Sequence, residues 1–285
     1  MKKSFPWRKV LGQSYIWLVL LLMYLPVLLL VIYSFSTSTL IGGRYIFSFD
    51  LYTKLFANSS IMIALGNTVL LALISALVST FLGTLGAIGV FYAKSKFKKA
   101  INFATQINIV NAEIVIAFSL TVMFVFLGTY VFKDDIFGFW TLLIGHVALS
   151  VPFVYISVRP KLQQMDPALY EAAIDLGATP RQALSKITIP EIAPGIFSGF
   201  LLAITLSLDD FIITSFTRGA GLLSGESEIE TLSTFIQAAI KKKNVPPEMR
   251  ALTTFIFVLV IVVVVAVSVY RSQQAKAKKI RKGRD

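Results

Sequence analysis

Six long apolar stretches, separated by short polar segments, set the rhythm of this chain. They run approximately Tyr15–Phe35, Ala64–Tyr92, Ile107–Phe132, Phe139–Val158, Ile192–Phe216 and Ala251–Tyr270. A helix needs roughly 20 mostly apolar residues to cross the hydrocarbon core, so each predicts a membrane-spanning helix. The second and third exceed that length, which predicts tilt or emergence into water. The first follows Lys2, Lys3, Arg8 and Lys9, as a signal peptide would. Its apolar core is too long for one, and no small-x-small cleavage site follows Tyr33-Ser34-Phe35; it reads as a retained signal-anchor.

Composition agrees with that pattern. Of 285 residues, 56% are hydrophobic and only 15% charged, and the mean hydropathy is +0.76. Soluble domains carry about 25% charged residues, so an ordinary soluble enzyme and a disordered tail are both excluded. The absence of cysteine excludes disulfides and thiol chemistry, and the single histidine, His146, excludes a His-rich metal site.

The formal charge of +12 comes from 27 Lys and Arg against 15 Asp and Glu. Nineteen of the basic residues fall in the two terminal tails and in the second-to-third and fourth-to-fifth loops; eight fall in the remaining loops. Basic residues collect on the cytoplasmic side, which predicts six spans with both termini in the cytoplasm. Stop-transfer charge accounts for the basic tail 271–285 better than nucleic-acid binding does. Gly83, Gly86 and Gly89 fall at i, i+3 and i+6, predicting a small-residue face for close helix packing. They follow no strand, and no G-x-x-x-x-G-K-[ST] occurs, so no nucleotide site of that kind is expected.

The segment 159–190 is not a plain connector. Asp166 can cap a helix starting at Pro167, with Leu169, Ala172, Ala173 and Leu176 as its apolar face and Gly177 as its C-terminal stop. Thr179 with Gln182 forms a capping box for a second short helix. Such a helix–turn–helix could dock in another protein's groove or lie as an interfacial amphipathic piece.

Here a resemblance becomes specific. Glu171-Ala172-Ala173, then Gly177, then Ile187-Thr188-Ile189-Pro190 resembles the EAA loop of ABC importer permeases, with Ile189 where that family usually has Leu. The likeness extends over roughly Ile61–Tyr270. Gly138-Phe139-Trp140, His146 and Val151-Pro152-Phe153-Val154 resemble the fourth helix of spermidine/putrescine permeases. Ser207-Leu208-Asp209-Asp210 with Ser215-Phe216 and Gly219 resembles their fifth helix. Val245-Pro246-Pro247-Glu248 and Ala251-Leu252-Thr253 resemble the start of their sixth. One departure is Asn111-Ala112-Glu113, where such permeases often carry Pro before the acid.

The resemblance implies an all-α integral membrane protein with the type I ABC importer permease fold, located in a bacterial cytoplasmic membrane. It divides the chain into an N-terminal tail 1–14, a first helix and outer loop 15–60, a core 61–270 and the tail 271–285. Within 159–190 it implies a coupling helix, Pro167–Gly177, whose ATPase contacts are Glu171, Ala172, Ala173, Asp175, Gly177, Ile187 and Pro190. Its implied partners are an ABC ATPase dimer, a second permease subunit, an extracellular polyamine-binding protein and membrane lipid, with no nucleic acid. ATP and Mg would be used by the ATPase and no cofactor would be held by this chain, which is not expected to be an enzyme.

Acids inside spans cost about 2.5–3.5 kcal/mol each on insertion scales, so Glu113, Asp209 and Asp210 are candidate pathway residues. Glu113 shares a predicted face with Asn102 and Gln106; Asp209 aligns with Thr205, and Asp210 with Ser207 and Thr214. Neighbours on a helix point about 100° apart, so one aspartate is expected to face the pathway while the other caps or pairs. Interhelical pairing, with Arg218 or a partner subunit, is the alternative use of these acids. For Glu113 structural and pathway roles stand level, while His146 reads as a hydrogen-bonded packing residue rather than a proton relay. Trp140 and Phe139 suit the interfacial aromatic belt. An amphipathic helix over Thr231–Ile240 is expected in the outer loop, either on the membrane surface or beneath the binding protein. The expected function is polyamine import, with another solute such as iron or thiamine in the same class as the alternative, and a standalone ion-coupled carrier as the rival class.

Overall fold

The computed structural model describes residues 7–37, 45–218, 229–242, 245–258, 260–262 and 265. Lys2, Lys3, Arg44, Gly219, Glu226, Glu228, Lys243 and the basic tail 271–285 lie outside the described residues. Twelve helices can be followed: α1 Trp7–Ser34, α2 Asp50–Ala57, α3 Ser59–Tyr92, α4 Ser95–Val110, α5 Glu113–Phe126, α6 Phe139–Gln164, α7 Pro167–Asp175, α8 Pro180–Ala183, α9 Ile189–Asp209, α10 Ile212–Thr217, α11 Leu232–Lys241 and α12 Met249–Val262. Among the described residues the β-type pairing is a single bridge, Ser36 with Phe47. Five helical runs are long and apolar enough to cross a membrane: Gly12–Ser34, Ser59–Tyr92, Glu113–Phe132, Phe139–Gln164 and Pro180–Asp209. The sixth expected span is described only as α12, which is shorter.

The chain divides into two compact units, one of residues 1–62 with 242–285 and one of Ile63–Lys241. In the first, Phe35, Phe47, Phe49 and Tyr52 form a ring cluster with centroids 5.2–6.2 Å apart. The Tyr52 hydroxyl lies 3.0 Å from Ser34 Oγ. Asn58 donates to Glu248 Oε1 at 3.3 Å, and Phe56 meets Phe255 edge-on, tying α2 to α12.

The second unit is built around α6. Its principal partner is α9, and the reason is written in α9's buried stripe: Ile192, Gly195, Gly199, Ala203 and Ser207 recur at helical spacing and are all small or apolar. A Cβ at Gly195 would lie 3.0 Å from Ser157 O, and one at Gly199 would lie 3.1 Å from Val154 Cγ1. Small residues let two helix backbones close to this distance, where dispersion and weak Cα–H contacts hold them in the absence of a water-driven force. The third helix in the stack, α3, buries Leu71, Ala72, Ser75, Ala76 and Ser79 at the same spacing.

The glycine face expected on α3 is corrected. Gly83 does touch α6, where an added Cβ would meet Val154 Cβ at 2.7 Å, but around Gly86 and Gly89 there is open space. Those two line a cavity of about 390 Å³ with Phe97, Ile101, Val151 and Tyr155. Beside Gly83, the close-packing glycines are Gly145 of α6 and Gly195 and Gly199 of α9.

Two expected spans are broken. The third stops at Val110 and restarts at Glu113, because Asn111 and Ala112 are extended at ψ 141° and 135°. Its last six residues, Leu127–Phe132, loosen into a π-helical turn. The fifth breaks at Asp210, where ψ is 120°, before resuming as α10. Both breaks fall at polar residues inside runs that hydropathy reads as continuous spans.

Candidate functional site

The turn between the fourth and fifth spans forms its caps from local chemistry. Asp166 Oδ1 accepts from Ala168 N at 3.0 Å, with Pro167 at the first helical position, so α7 starts there. It ends in a Schellman motif: Ala178 N donates to Ala173 O at 3.0 Å and Gly177 N to Ile174 O at 2.9 Å. Gly177 has φ +85°, a conformation that a Cβ disfavours. Thr179 and Gln182 exchange the two bonds of a capping box, at 3.3 and 2.9 Å.

The flanking helices run further into this segment than hydropathy predicts. α6 continues through Arg159 to Gln164, and α8 passes through a π-helical turn, Leu184–Thr188, directly into α9. The second short helix is therefore the first part of the fifth span. Glu171, Ala172, Asp175, Gly177 and Pro190 are exposed, Ala173 and Ile187 half-buried. Leu176, at the C-cap of α7, is 89% exposed. Behind this face, the Tyr170 ring packs on Tyr92 at 5.6 Å and holds α7 to the end of α3.

At the break in the fifth span the two aspartates separate. Asp209 is the last residue of α9 and is exposed, one turn beyond the likewise exposed Thr205, whose hydroxyl is turned back to Leu201 O at 2.9 Å. Asp210 is buried and faces the other way. Its Oδ1 accepts from Ile213 N at 3.2 Å and its Oδ2 from Thr214 N at 2.8 Å, so it is the N-terminal cap of α10. Thr214 Oγ1 adds a bond to Oδ2 at 3.0 Å. The sequence placed both acids on one continuous helix. The break removes that geometry, and capping is the local reason for it.

His146, fully buried on α6, joins this arrangement through Nε2, 2.9 Å from Thr214 Oγ1, and through Nδ1, 2.7 Å from Ser207 Oγ. Ser207 in turn receives Ser75 Oγ at 3.0 Å. Among the described residues Asp50 pairs with Lys54 at 2.7 Å, and His146 Nε2 lies 3.5 Å from Asp210 Oδ2. The expected alternative of an Arg218–aspartate pair is therefore not realised within the described residues.

Glu113 opens α5 as its first residue and is exposed. Its carboxyl is close enough to Asp209 and Asp210 for both charges to act on it. The expected polar stripe with Asn102 and Gln106 is corrected, because the break at Asn111-Ala112 lies between them and Glu113. Asn102 instead accepts the Tyr155 hydroxyl. The three acids, spread over 98 positions, thus lie within electrostatic reach of one another, and Thr205 stands one turn before Asp209 on α9.

The outer helix α11 is also tied in, through residues that periodicity did not single out. Leu232 N donates to Thr68 Oγ1 at 2.7 Å and Asn67 Nδ2 to Glu230 O at 3.0 Å. Ser233 Oγ donates to the carbonyl of Asp210 at 2.8 Å, satisfying the group that the helix break leaves open. Neither Ser75 nor Ser233 carries a sequence signal beyond being small and polar.

A capped, exposed turn thus joins the two long spans, and an acidic break lies at the far end of the second. The family described as the binding-protein-dependent transport system inner membrane component matches residues 79–282. The chain belongs to that family. It is 33% identical over 249 residues to the spermidine/putrescine transport system permease protein PotC of Haemophilus influenzae, covering 87% of this chain and 91% of that one. It is 34% identical over 256 residues to the putrescine transport system permease protein PotI of Escherichia coli strain K12, covering 88% and 85%. Its fold is similar to that of a chain in the crystal structure of a bacterial ABC transporter that imports the acidic polysaccharide alginate, with a TM-score of 0.67 at 18% identity over 94% of this chain and 98% of the other. The alginate-pentasaccharide complex of a transporter of that kind, with its periplasmic protein bound, gives 0.66 at 21% identity, covering 91% of each chain.

Proposed function

We propose that this chain is a PotC-like permease subunit of an ATP-driven importer for polyamines, spermidine or putrescine. The observation that carries the reading is the likeness, at above 30% identity over most of the chain, to permeases named for those solutes. The acids support it: exposed Asp209 and Glu113, beside the buried Asp210, set a cation-attracting potential where an amine leaves water. Six crossings with both termini in the cytoplasm complete the topology.

In this reading an external binding protein delivers the cation, and a second, PotB-like permease subunit supplies the other half of the pathway. An ATPase dimer, which uses ATP and Mg, grips the exposed face of α7 through Glu171, Ala172, Asp175, Gly177 and Leu176. Ala173, Ile187 and Pro190 back that face. Closure of the ATPase pair moves the two turns together, and the motion passes into α6 and α9 to turn the cavity outward.

The test is reconstitution of the complex in lipid. Spermidine-loaded binding protein should raise ATP hydrolysis and drive uptake. Stimulation by a different solute, such as ferric iron or thiamine, with none by spermidine or putrescine, would overturn the polyamine reading. A Glu171→Ala, Gly177→Val double variant should keep binding-protein docking yet lose ATP-dependent uptake; normal uptake would refute the coupling role.

A further inference from the structure

Five side chains from four helices form one continuous hydrogen-bonded chain in the second unit: Ser75 of α3, Ser207 of α9, His146 of α6, and Thr214 and Asp210 at the head of α10. Ser75, His146 and Thr214 have no exposed surface, and Ser207 has 3%. Its direction follows from donor counting. An ionised carboxylate only accepts, and the groups bonded to Asp210's carboxyl, two backbone N–H groups and the Thr214 hydroxyl, act as its donors, with His146 Nε2 3.5 Å away. Thr214 therefore spends its one proton on Asp210 and its oxygen receives Nε2–H from His146. Nδ1 is then a lone pair, which receives the Ser207 proton, and the Ser207 oxygen receives the Ser75 hydroxyl at 3.0 Å, closer than that hydroxyl's other acceptor, Ala72 O at 3.2 Å. One neutral tautomer closes the whole chain with every donor aimed toward Asp210. Successive aligned bonds polarise one another in a medium of low dielectric.

We propose that His146 is a positioning residue for transport. Held neutral with its proton on Nε2, it fixes Thr214 against Asp210, keeps the α9–α10 break in place, and so leaves Asp209 as the acid that meets the cargo. Only the last clause rests on the cation-import reading; the tautomer and the chain of bonds do not.

Two measurements on the assembled complex test this. With 15N-labelled histidine, the imidazole pair that disappears in H146Q belongs to this chain's one histidine. It should show a protonated Nε2 and a bare Nδ1 at neutral pH. A proton on Nδ1, alone or together with Nε2, overturns the proposal.

The second measurement is spermidine uptake, normalised to assembled complex. Asn at 146 can reach Ser207 but not Thr214, whereas Gln can still donate to Thr214. H146N should raise the apparent KM about tenfold or more, the factor expected on losing one hydrogen bond that braces a charged group, with Vmax per complex largely kept. H146Q should recover most of that loss. Equal impairment in both variants, or a wild-type KM in both, overturns it. A wild-type complex that imports only another solute refutes the cargo reading instead, and the KM comparison then applies to that solute.

Discussion

At the scale of single residues, two adjacent aspartates do unlike work because a backbone turn of about one residue separates them. Asp210 satisfies two orphan N–H groups of a helix start, while Asp209 ends the preceding helix in the open. Losing an N-cap costs about 0.5–2 kcal/mol. Stranding the buried Thr214 and His146 partners adds to that. D210A should therefore lower the thermal stability of the detergent-solubilised complex by about 1–3 kcal/mol, read by unfolding. D209A should leave stability within about 0.5 kcal/mol and raise the apparent KM for uptake. A stability loss confined to D209A would reverse the assignment. That one aspartate would cap or pair while the other stayed free was legible in the sequence; which of the two caps was not, because the helix break that decides it lies inside a run that hydropathy reads as one span. The caps at Asp166, Gly177 and Thr179 were legible, because each closes within three or four residues along the chain.

At the scale of elements, the breaks matter more than the helices. A run of apolar residues predicts that a span exists, yet says nothing about where its backbone bends, so the third and fifth spans read as continuous. The third bends at Asn111-Ala112 without the proline that related permeases often carry. Its geometry is nevertheless a proline's: Ala112 has φ −64°, and Asn111 before it is extended at ψ 141°. A112P should therefore be accepted, stabilising the complex by about 0.4–1 kcal/mol with uptake retained. Proline at Ala117, buried inside α5, should cost about 3 kcal/mol or more and abolish assembly. Equal damage from both, judged by recovery of folded complex, would show that the bend at 112 is not fixed in the functional state. The glycines taught the complementary lesson. Their spacing on α3 looked like a packing face, but contact requires a facing partner, and α6 offers one to Gly83 alone.

For the molecule as a whole, the excess of basic residues resolves into sidedness rather than affinity for a polyanion. Nineteen of the 27 Lys and Arg fall in the tails and loops expected on the cytoplasmic side. The absence of cysteine makes this directly checkable. A single cysteine at Leu176 should react with a membrane-impermeant maleimide only in inside-out vesicles, and one at Asp135 only in right-side-out vesicles. The same sidedness for both positions would overturn the topology.

The unbroken run from Pro180 to Asp209 has a mechanical meaning. Thirty residues at 1.5 Å each make a rod about 45 Å long, with the capped, exposed turn at one end and the exposed aspartate at the other. Its closest glycine contact with α6 is at Gly195, about 22 Å from the Pro180 end and about 21 Å from Asp209, where an added Cβ would lie 2.8 Å from Lys161 Cγ. Rocking about that fulcrum would give a lever with nearly equal arms. A displacement of about 2 Å at the Pro180 end would then carry Asp209 about 2 Å the opposite way. The missing side chain at the bearing lets the two helices turn closely against each other.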